Sequence, residues 1–387
     1  MQLKAVTHGT DGGPKHPLLI LAGAGSGKTR VITTKIAHLI AEKRAEPESI
    51  LAVTFTNKAA EEMRQRAAAL APGASAVLIR TFHSFGAWLL RRNAKTAGLD
   101  RSFVIYDEDD SVALLKAMTE GAGRKGGGLE TGGARSANAR FKRLSFLISR
   151  AKDYALSPED DLSAITPDPE FPALYRQYQD RLSGTGNADF GDLIFGALKL
   201  LRNEAAVRKR ICQRFSVVLV DEFQDSNVAQ FELLKQLFDT GTYLCVVGDD
   251  DQSIYRFRGA EVKNIIGFSR HFPDTDIIRL EENYRSTPPI LSLASGVVSN
   301  NRGRLGKTLW TGKTGGIKPV LVYLRDHREE AAFCAELLAG GNRGGTAILY
   351  RVNAQSREFE HCFSRNHIPY RLVGSVSFYS REEVKDT

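Results

Sequence analysis

Cysteine is scarce and scattered. Its four residues, Cys212, Cys245, Cys334 and Cys362, stand far apart with no C-x-x-C pair. That argues against a zinc or iron–sulfur centre and fits a reducing cytoplasm. Long apolar runs are missing too: none approaches a membrane span, and no signal peptide precedes the first glycine-rich motif. The chain is therefore expected in the cytoplasm, with no membrane partner. No internal repeat is present. An acidic excess is also lacking, since 53 Lys and Arg stand against 45 Asp and Glu, a net charge of +8. Such a balance serves plain solubility or a polyanionic partner, and composition leaves both open. What is there is ordinary for a globular protein: 42% hydrophobic and 25% charged residues, in 387 residues that suffice for two or three domains.

Residues 22–29 read Ala22-Gly23-Ala24-Gly25-Ser26-Gly27-Lys28-Thr29. They follow the apolar run Pro17–Leu21 and precede Arg30–Ile40, where Val31, Ile32, Ile36, Leu39 and Ile40 fall near helical spacing. Strand, glycine loop and helix is the context of a phosphate-binding loop. Gly23, Gly25 and Gly27 let backbone N–H groups approach phosphate oxygens without a Cβ in the way. The helix N-terminus adds partial positive charge. Lys28 is placed to reach β- and γ-phosphates, and the Thr29 hydroxyl to hold Mg²⁺.

A second site has the same logic. Phe215–Val220 is almost wholly apolar, as a strand covered on both faces should be. Asp221 and Glu222 then stand at its carboxyl end, where open α/β sheets bind ligands. Asp221 is the candidate Mg²⁺ partner and Glu222 the candidate base or water-orienting group. Together the two motifs make a nucleoside triphosphatase.

Apolar runs at 18–21, 50–55, 76–79, 216–220 and 243–247 predict strands of one α/β sheet. Between roughly 90 and 186 the pattern turns helical, at 107–119, 139–151 and 171–183. Inside that block a glycine-rich stretch, Gly121–Gly128 continuing to Gly133, reads as a flexible surface loop. From about 279 a second α/β pattern is expected, with strands near 277–280, 319–323, 346–350 and 369–373.

Four further stretches carry a family resemblance. They are Thr54–Met63, Thr81-Phe82-His83-Ser84-Phe85, Val246–Tyr255 and Glu282-Asn283-Tyr284-Arg285-Ser286-Thr287. In composition, order and spacing they resemble superfamily 1 DNA helicases of the UvrD/Rep type, and Ala347–Arg357 and Ile368–Asp386 look like later segments of that family. The resemblance covers essentially the whole chain. It implies a P-loop, RecA-like α/β motor domain at 1–90 and 187–278, an inserted helical accessory domain at 91–186, and the beginning of a second RecA-like domain at 279–387. The implied activity is ATP-driven movement 3′ to 5′ along single-stranded DNA, with Mg²⁺ as cofactor and duplex junctions as targets. A non-motor nucleic-acid-binding module switched by ATP is the alternative, and DNA-stimulated phosphate release separates the two.

The resemblance also implies roles. Gln2 looks like an adenine-reading glutamine, whose amide offers both donor and acceptor. Arg30 and Tyr284 look like the pair that sandwiches the adenine, Gln252 like a γ-phosphate sensor, and Arg285 like an arginine finger. For DNA, the aromatics Phe55, His83, Tyr255 and Phe257 are expected to stack bases, with Asn57, Lys58, Arg256 and Arg258 beside them on phosphates. Phe82 and Phe85 are expected in the core. Two departures stand out: Arg256-Phe257-Arg258 replaces the family's Gly-Trp-Arg, and Asp189-Phe190-Gly191-Asp192 has glycine for an acidic residue. The latter receives no role beyond a domain border. The family's last two motifs are not found before residue 387, so an N-terminal fragment or truncated form is expected, able to bind ATP, slow in hydrolysis and unable to separate strands.

Overall fold

Alternation along parallel strands builds the core. A computed structural model describes residues 1–9, 16–121, 134–254, 259–301, 303–341 and 343–373. Among them a six-stranded sheet forms from β1 (Leu18–Ala22), β2 (Ile50–Thr54), β3 (Leu78–Thr81), β6 (Val217–Val220), β7 (Tyr243–Gly248) and β8 (Asp276–Leu280). Its order is β3-β2-β6-β7-β1-β8, and every pairing is parallel. A separate parallel pair joins β4 (Ile105–Tyr106) to β5 (Ala188–Asp189).

Successive side chains of a strand point to opposite faces, and here both faces are covered. Leu19, Leu21, Leu51, Val53, Val218 and Val220 enter one apolar cluster. Their neighbours Leu18, Ile20, Ile50, Ala52, Val217 and Leu219 enter the other. This is why the inner strands read as continuous apolar runs with no polar alternation. Phe82 and Phe85 are buried, as expected.

The sequence places most elements within a residue or two. The strand expected at 76–79 begins two residues later, at Leu78, because Ala74–Ala76 closes a short 3-10 turn first. The helices expected at 107–119, 139–151 and 171–183 are Glu108–Gly121, Ala134–Asp153 and Phe171–Gly184. They share an apolar cluster of their own around Leu115, Ile148, Tyr175 and Tyr178. The glycine-rich stretch lies almost wholly outside the described residues.

The second α/β pattern differs from expectation. The strand at Asp276–Leu280 belongs to the first sheet, paired with β1 from Leu18↔Asp276 to Ala22↔Leu280. Residues 319–323, 346–350 and 369–373 are not strands. A strand exists only through a ladder partner, and none pairs with these segments among the described residues. Val320, Leu321, Tyr323 and Leu349 are accordingly exposed. The chain divides into two compact units, Met1–Ile317 and Lys318–Thr387. Within the second unit, helices His327–Ala339 and Ser356–Arg365 pack through Ala331, Ala335, Phe359 and Phe363.

Lys152 is a charged group buried inside the first unit. Lys152 Nζ lies 2.6 Å from Asp189 Oδ2 and 2.8 Å from Asp192 Oδ1, with its side chain fully buried. Against the cost of burial, these two carboxylates hold the ammonium above its ordinary pKa. Tyr178 donates to Asp189 Oδ2 (3.0 Å). A buried ion pair contributes little beyond what desolvation costs, but breaking one strands a charge. Lys152→Met is expected to lose about 3–5 kcal/mol of stability in urea unfolding. Adding Asp189→Asn and Asp192→Asn should recover much of the loss, and a triple variant no better than Lys152→Met would contradict this account.

Beside it, Asp153 accepts from Asn227 Nδ2 (2.7 Å), tying helix Ala134–Asp153 to the cap of Val228–Leu237. Burial pushes the Asp153 carboxyl up to about 7; the Asn227 hydrogen bond opposes the rise and the Asp189 charge adds to it. The folded protein thus keeps a proton that the unfolded chain has shed above its usual value of about 4. Stability from this group therefore falls as pH rises through that window and is level above it. Asp153→Asn keeps an acceptor for Asn227 and removes the charging cost. Its thermal midpoint should exceed the parent's at about pH 8 and match it near pH 4; an equal gain at both would rule out charge as the cause.

Candidate functional site

The glycine loop bridges β1 and the helix Lys28–Ala41. Gly25 (φ +69°) and Gly27 (φ +90°) take the left-handed conformation that turns the chain sharply into the helix. There is no room for larger residues either. A Cβ on Gly25 would stand 2.7 Å from Asn283 Nδ2, and one on Gly27 would stand 2.8 Å from Gln2 Nε2. Two distant segments therefore lie directly on the loop. Gln2 Nε2 donates to Ser26 O (2.8 Å). Asn283 Nδ2 donates to Ala24 O (2.5 Å), and Tyr284 N to Gly25 O (3.0 Å). Asn283 Oδ1 then accepts from the backbone of Arg285 and Ser286, at 2.9 and 2.7 Å.

Because the strands are parallel, the loop after β1 meets the carboxyl ends of β6 and β7. Thr29 Oγ1 donates to Asp221 Oδ2 across 3.4 Å, so the two candidate Mg²⁺ ligands are neighbours. Burial pushes the Asp221 carboxyl up to about 6, the Glu222 charge adding to the effect. Lys28 Nζ lies 2.9 Å from Glu222 Oε2, an ion pair by distance. Yet the buried ammonium makes no aligned hydrogen bond. A buried donor without a partner is costly, and a phosphate oxygen supplies the acceptor it lacks. Glu222 itself has φ +49°, a left-handed conformation rare for a non-glycine residue. Such strain persists where surrounding contacts impose it. The loop, the orphaned ammonium and the adjacent Thr29–Asp221 pair fit a Mg²⁺–nucleoside triphosphate.

Arg30 and Tyr284 are both exposed near the loop, and the Arg30 charge acts on the Tyr284 phenol. Tyr284 OH donates to Glu282 Oε2 (2.7 Å), which holds its pKa above the ordinary value. Arg285 is exposed; a Cβ on Gly25 would stand 2.8 Å from the Arg285 Cβ, so its backbone lies against the loop.

Gln252 is joined to the carboxylates through a polar chain that links two of the stretches read from the sequence. Gln224 Nε2 donates to Glu222 Oε2 (2.8 Å), and Gln224 Oε1 accepts from Asp249 N (2.9 Å). Asp249 Oδ2 accepts from the Gln252 amide. Asp249, Asp250 and Asp251 bring their oxygens within 4.8 Å of one another, a spacing that suits a metal ion. The chain supplies the cation itself: Lys307 Nζ lies 2.6, 2.5 and 2.8 Å from the three carboxylates. Arg304 adds a two-pronged pair to Asp251, at 2.6 and 2.8 Å. Lys307 and Arg304 sit outside every motif read from the sequence, in a stretch with no strong local pattern, so nothing there signals them.

A cavity of about 820 Å³ runs from this chain to the candidate strand-binding aromatics, lined by Glu222, Gln224 and Gln252 at one side and Phe55, His83 and Phe190 at another. His83 stacks on Phe190, centroids 4.0 Å apart at 22°. Burial lowers the His83 pKa to about 4, so the ring is neutral near pH 7. Phe190 is 56% exposed. The sequence signals no role for it, yet the buried Asp189 and Asp192 on either side hold it at the cavity. Asn57 and Lys58 open the exposed start of helix Asn57–Leu70. Tyr255, Arg256, Phe257 and Arg258 lie outside the described residues.

Comparison with known proteins agrees with this geometry. Residues 1–273 match the UvrD/REP helicase N-terminal domain, and residues 278–387 the UvrD-like helicase C-terminal domain. A relative from Bacillus subtilis (strain 168), the ATP-dependent DNA helicase PcrA, is 42% identical over 390 residues, covering 97% of this chain and 50% of that protein. The PcrA of Staphylococcus aureus (strain Mu50) is 40% identical over 380 residues, covering 96% of this chain and 50% of its own. The chain thus spans about half the length of the curated relatives it matches. No helix among the described residues is long and apolar enough to cross a membrane. With an α/β, RecA-like P-loop fold and both family models matched, the chain belongs to the UvrD/Rep helicase family.

Proposed function

We propose that this chain is the ATP-hydrolysing part of a DNA translocase of the UvrD/Rep type, moving 3′ to 5′ on single-stranded DNA and acting at duplex junctions. The observation that carries the reading is a continuous polar path. It runs from Lys28 through Glu222, Gln224 and Asp249 to Gln252, and one cavity joins it to Phe55, His83 and Phe190. Segments 1–90 and 187–278 are read as the motor domain, 91–186 as an accessory insertion and 279–387 as the start of a second motor-like domain.

The nucleotide is taken as ATP. Gln2 reads the adenine edge, Arg30 and Tyr284 flank the ring, and residues 22–29 cradle the phosphates. Thr29 and Asp221 would hold Mg²⁺, which would supply positive charge to offset that of the phosphates. Glu222 accepts a proton from water as its oxygen bonds to the γ-phosphorus and the bond to the β–γ bridging oxygen breaks, yielding ADP and phosphate. Lys28 and Arg285 stabilise the charge that develops. Gln252, held by Asp249, reports the γ-phosphate to the strand-binding side.

Lys28→Ala should lose or much weaken Mg²⁺-dependent binding of a fluorescent ATP analogue, whereas Glu222→Gln should bind it normally and hydrolyse it slowly. Equal affinity of the parent and Lys28→Ala would sink the assignment of the loop. Phosphate release that rises with added single-stranded DNA separates a motor from an ATP-switched binding module.

On the strand side, Phe190→Ala should weaken oligo(dT) binding by about 1–3 kcal/mol, the worth of one stacked base. Fluorescence anisotropy at fixed salt is the measurement, and parental affinity in the variant would remove Phe190 from the strand path.

A further inference from the structure

A second cavity adjoins the first, sharing Phe55, Thr56, His83 and Phe190, but its charge is opposite. It has a volume of about 640 Å³ and is lined by Arg80, Arg91, Arg92 and Trp88, with no carboxylate in its wall. Among the described residues none of these three arginines pairs with a carboxylate. Arg80 Nε is buried without a hydrogen-bond partner. Burial, together with the like charges of Arg64 and Arg92, holds the Arg80 guanidinium below its ordinary pKa. The Arg92 guanidinium lies 4.9 Å over the Trp88 ring.

The backbone adds to the same field. Thr56 and Asn57, which start helix Asn57–Leu70, line this cavity, and so do Thr81 and His83, which start helix Phe82–Arg92. Two helix N-termini therefore direct partial positive charge toward the space that Arg80, Arg91 and Arg92 line, with Arg92 close enough to act on Arg80. Arg91 and Arg92 are exposed while Arg80 is partly buried, and an anion entering the cavity would supply the acceptor that Arg80 Nε lacks. Guanidinium forks match phosphate oxygens in pairs. The stacked His83–Phe190 pair at the shared wall offers a surface for a base, which an acidic peptide would not use.

We propose, building on the motor reading above, that the Arg80–Arg91–Arg92 cavity is a phosphodiester subsite that takes the backbone of single-stranded DNA where it runs on from the groove at Phe55, His83 and Phe190. The strand's path then extends beyond the aromatic groove to β3, the edge strand that carries Arg80.

The test uses the full chain with Trp310→Phe, which leaves Trp88 as the single tryptophan of the two in the sequence. Oligo(dT) of about 16 nucleotides, long enough for one binding module, should quench Trp88, while inorganic pyrophosphate should not reproduce the effect. Arg80→Met with Arg92→Met should lower oligo(dT) affinity roughly tenfold and flatten the dependence of log K on log salt by about 0.7 for each phosphate that is no longer neutralised. Binding of the ATP analogue should stay at the parental value, which excludes misfolding. Parental affinity and salt slope in the double variant would overturn the subsite, as would a parent that binds oligo(dT) without quenching Trp88. A pyrophosphate response equal to that of oligo(dT) would reduce the cavity to an anion site and also overturn it. A parent that binds no DNA at all would instead bring down the motor reading along with the subsite.

Discussion

All six strands of the main sheet run in the same direction, so all six carboxyl ends open along one edge. The rest of the site depends on that constraint. The glycine loop leaves β1, Asp221 leaves β6, Asp249 leaves β7, and Phe55 and His83 follow β2 and β3. A parallel connection must cross over through a helix before the next strand begins. Each loop at this edge therefore starts a helix or turn whose N-terminal N–H groups add positive field. The glycine loop and the aromatic cavity arise side by side from one topological fact.

Polar groups along that edge are buried, and burial makes their mutual contacts decisive. Gln224 is only 2% exposed and spends both ends of its amide, one on Glu222 and the other on the Asp249 backbone. Asp249 in turn is shared between Lys307 and Gln252. Moving any one of these groups leaves a partner unsatisfied in a poorly solvated place, which costs more than the single bond is worth. A chain of this kind has few intermediate arrangements. In the proposed motor it would carry a nucleotide-dependent change from Lys28 toward the aromatic cavity, and Lys307 and Arg304 hold its far end in place.

Much of this is legible in the residues. The apolar runs of β1, β2, β6 and β7 announce buried parallel strands because both faces of the sheet are covered, and the glycine loop announces itself by spacing. The runs at 319–323, 346–350 and 369–373 are also apolar in character but are not strands. Hydrophobicity makes a segment fit for a sheet, whereas the ladder is a property of two segments together. Asp276–Leu280 shows the opposite case. Its pattern reads as a strand, but of a second sheet, since nothing in five residues says which neighbour they join. Phe190 carries no signal for a related reason: its flanking aspartates mark nothing beyond a domain border until Lys152, some forty residues earlier, is found buried against them.

Local chemistry follows from the residues alone: the left-handed glycines of the loop, the cation and hydroxyl that follow them, the carboxylates at a strand end, and the alternation that buries the sheet. These depend on covalent neighbours and on backbone geometry within a few residues. Which distant groups meet follows from the fold of the whole chain. It brought Gln2 onto Ser26 and Asn283 onto Ala24, set Lys307 among three aspartates, and gathered Arg80 and Arg92 around a cavity with no counter-charge. Those meetings depend on strand order and crossover paths, which set distances between residues far apart in the chain and leave no mark on either residue's immediate neighbours.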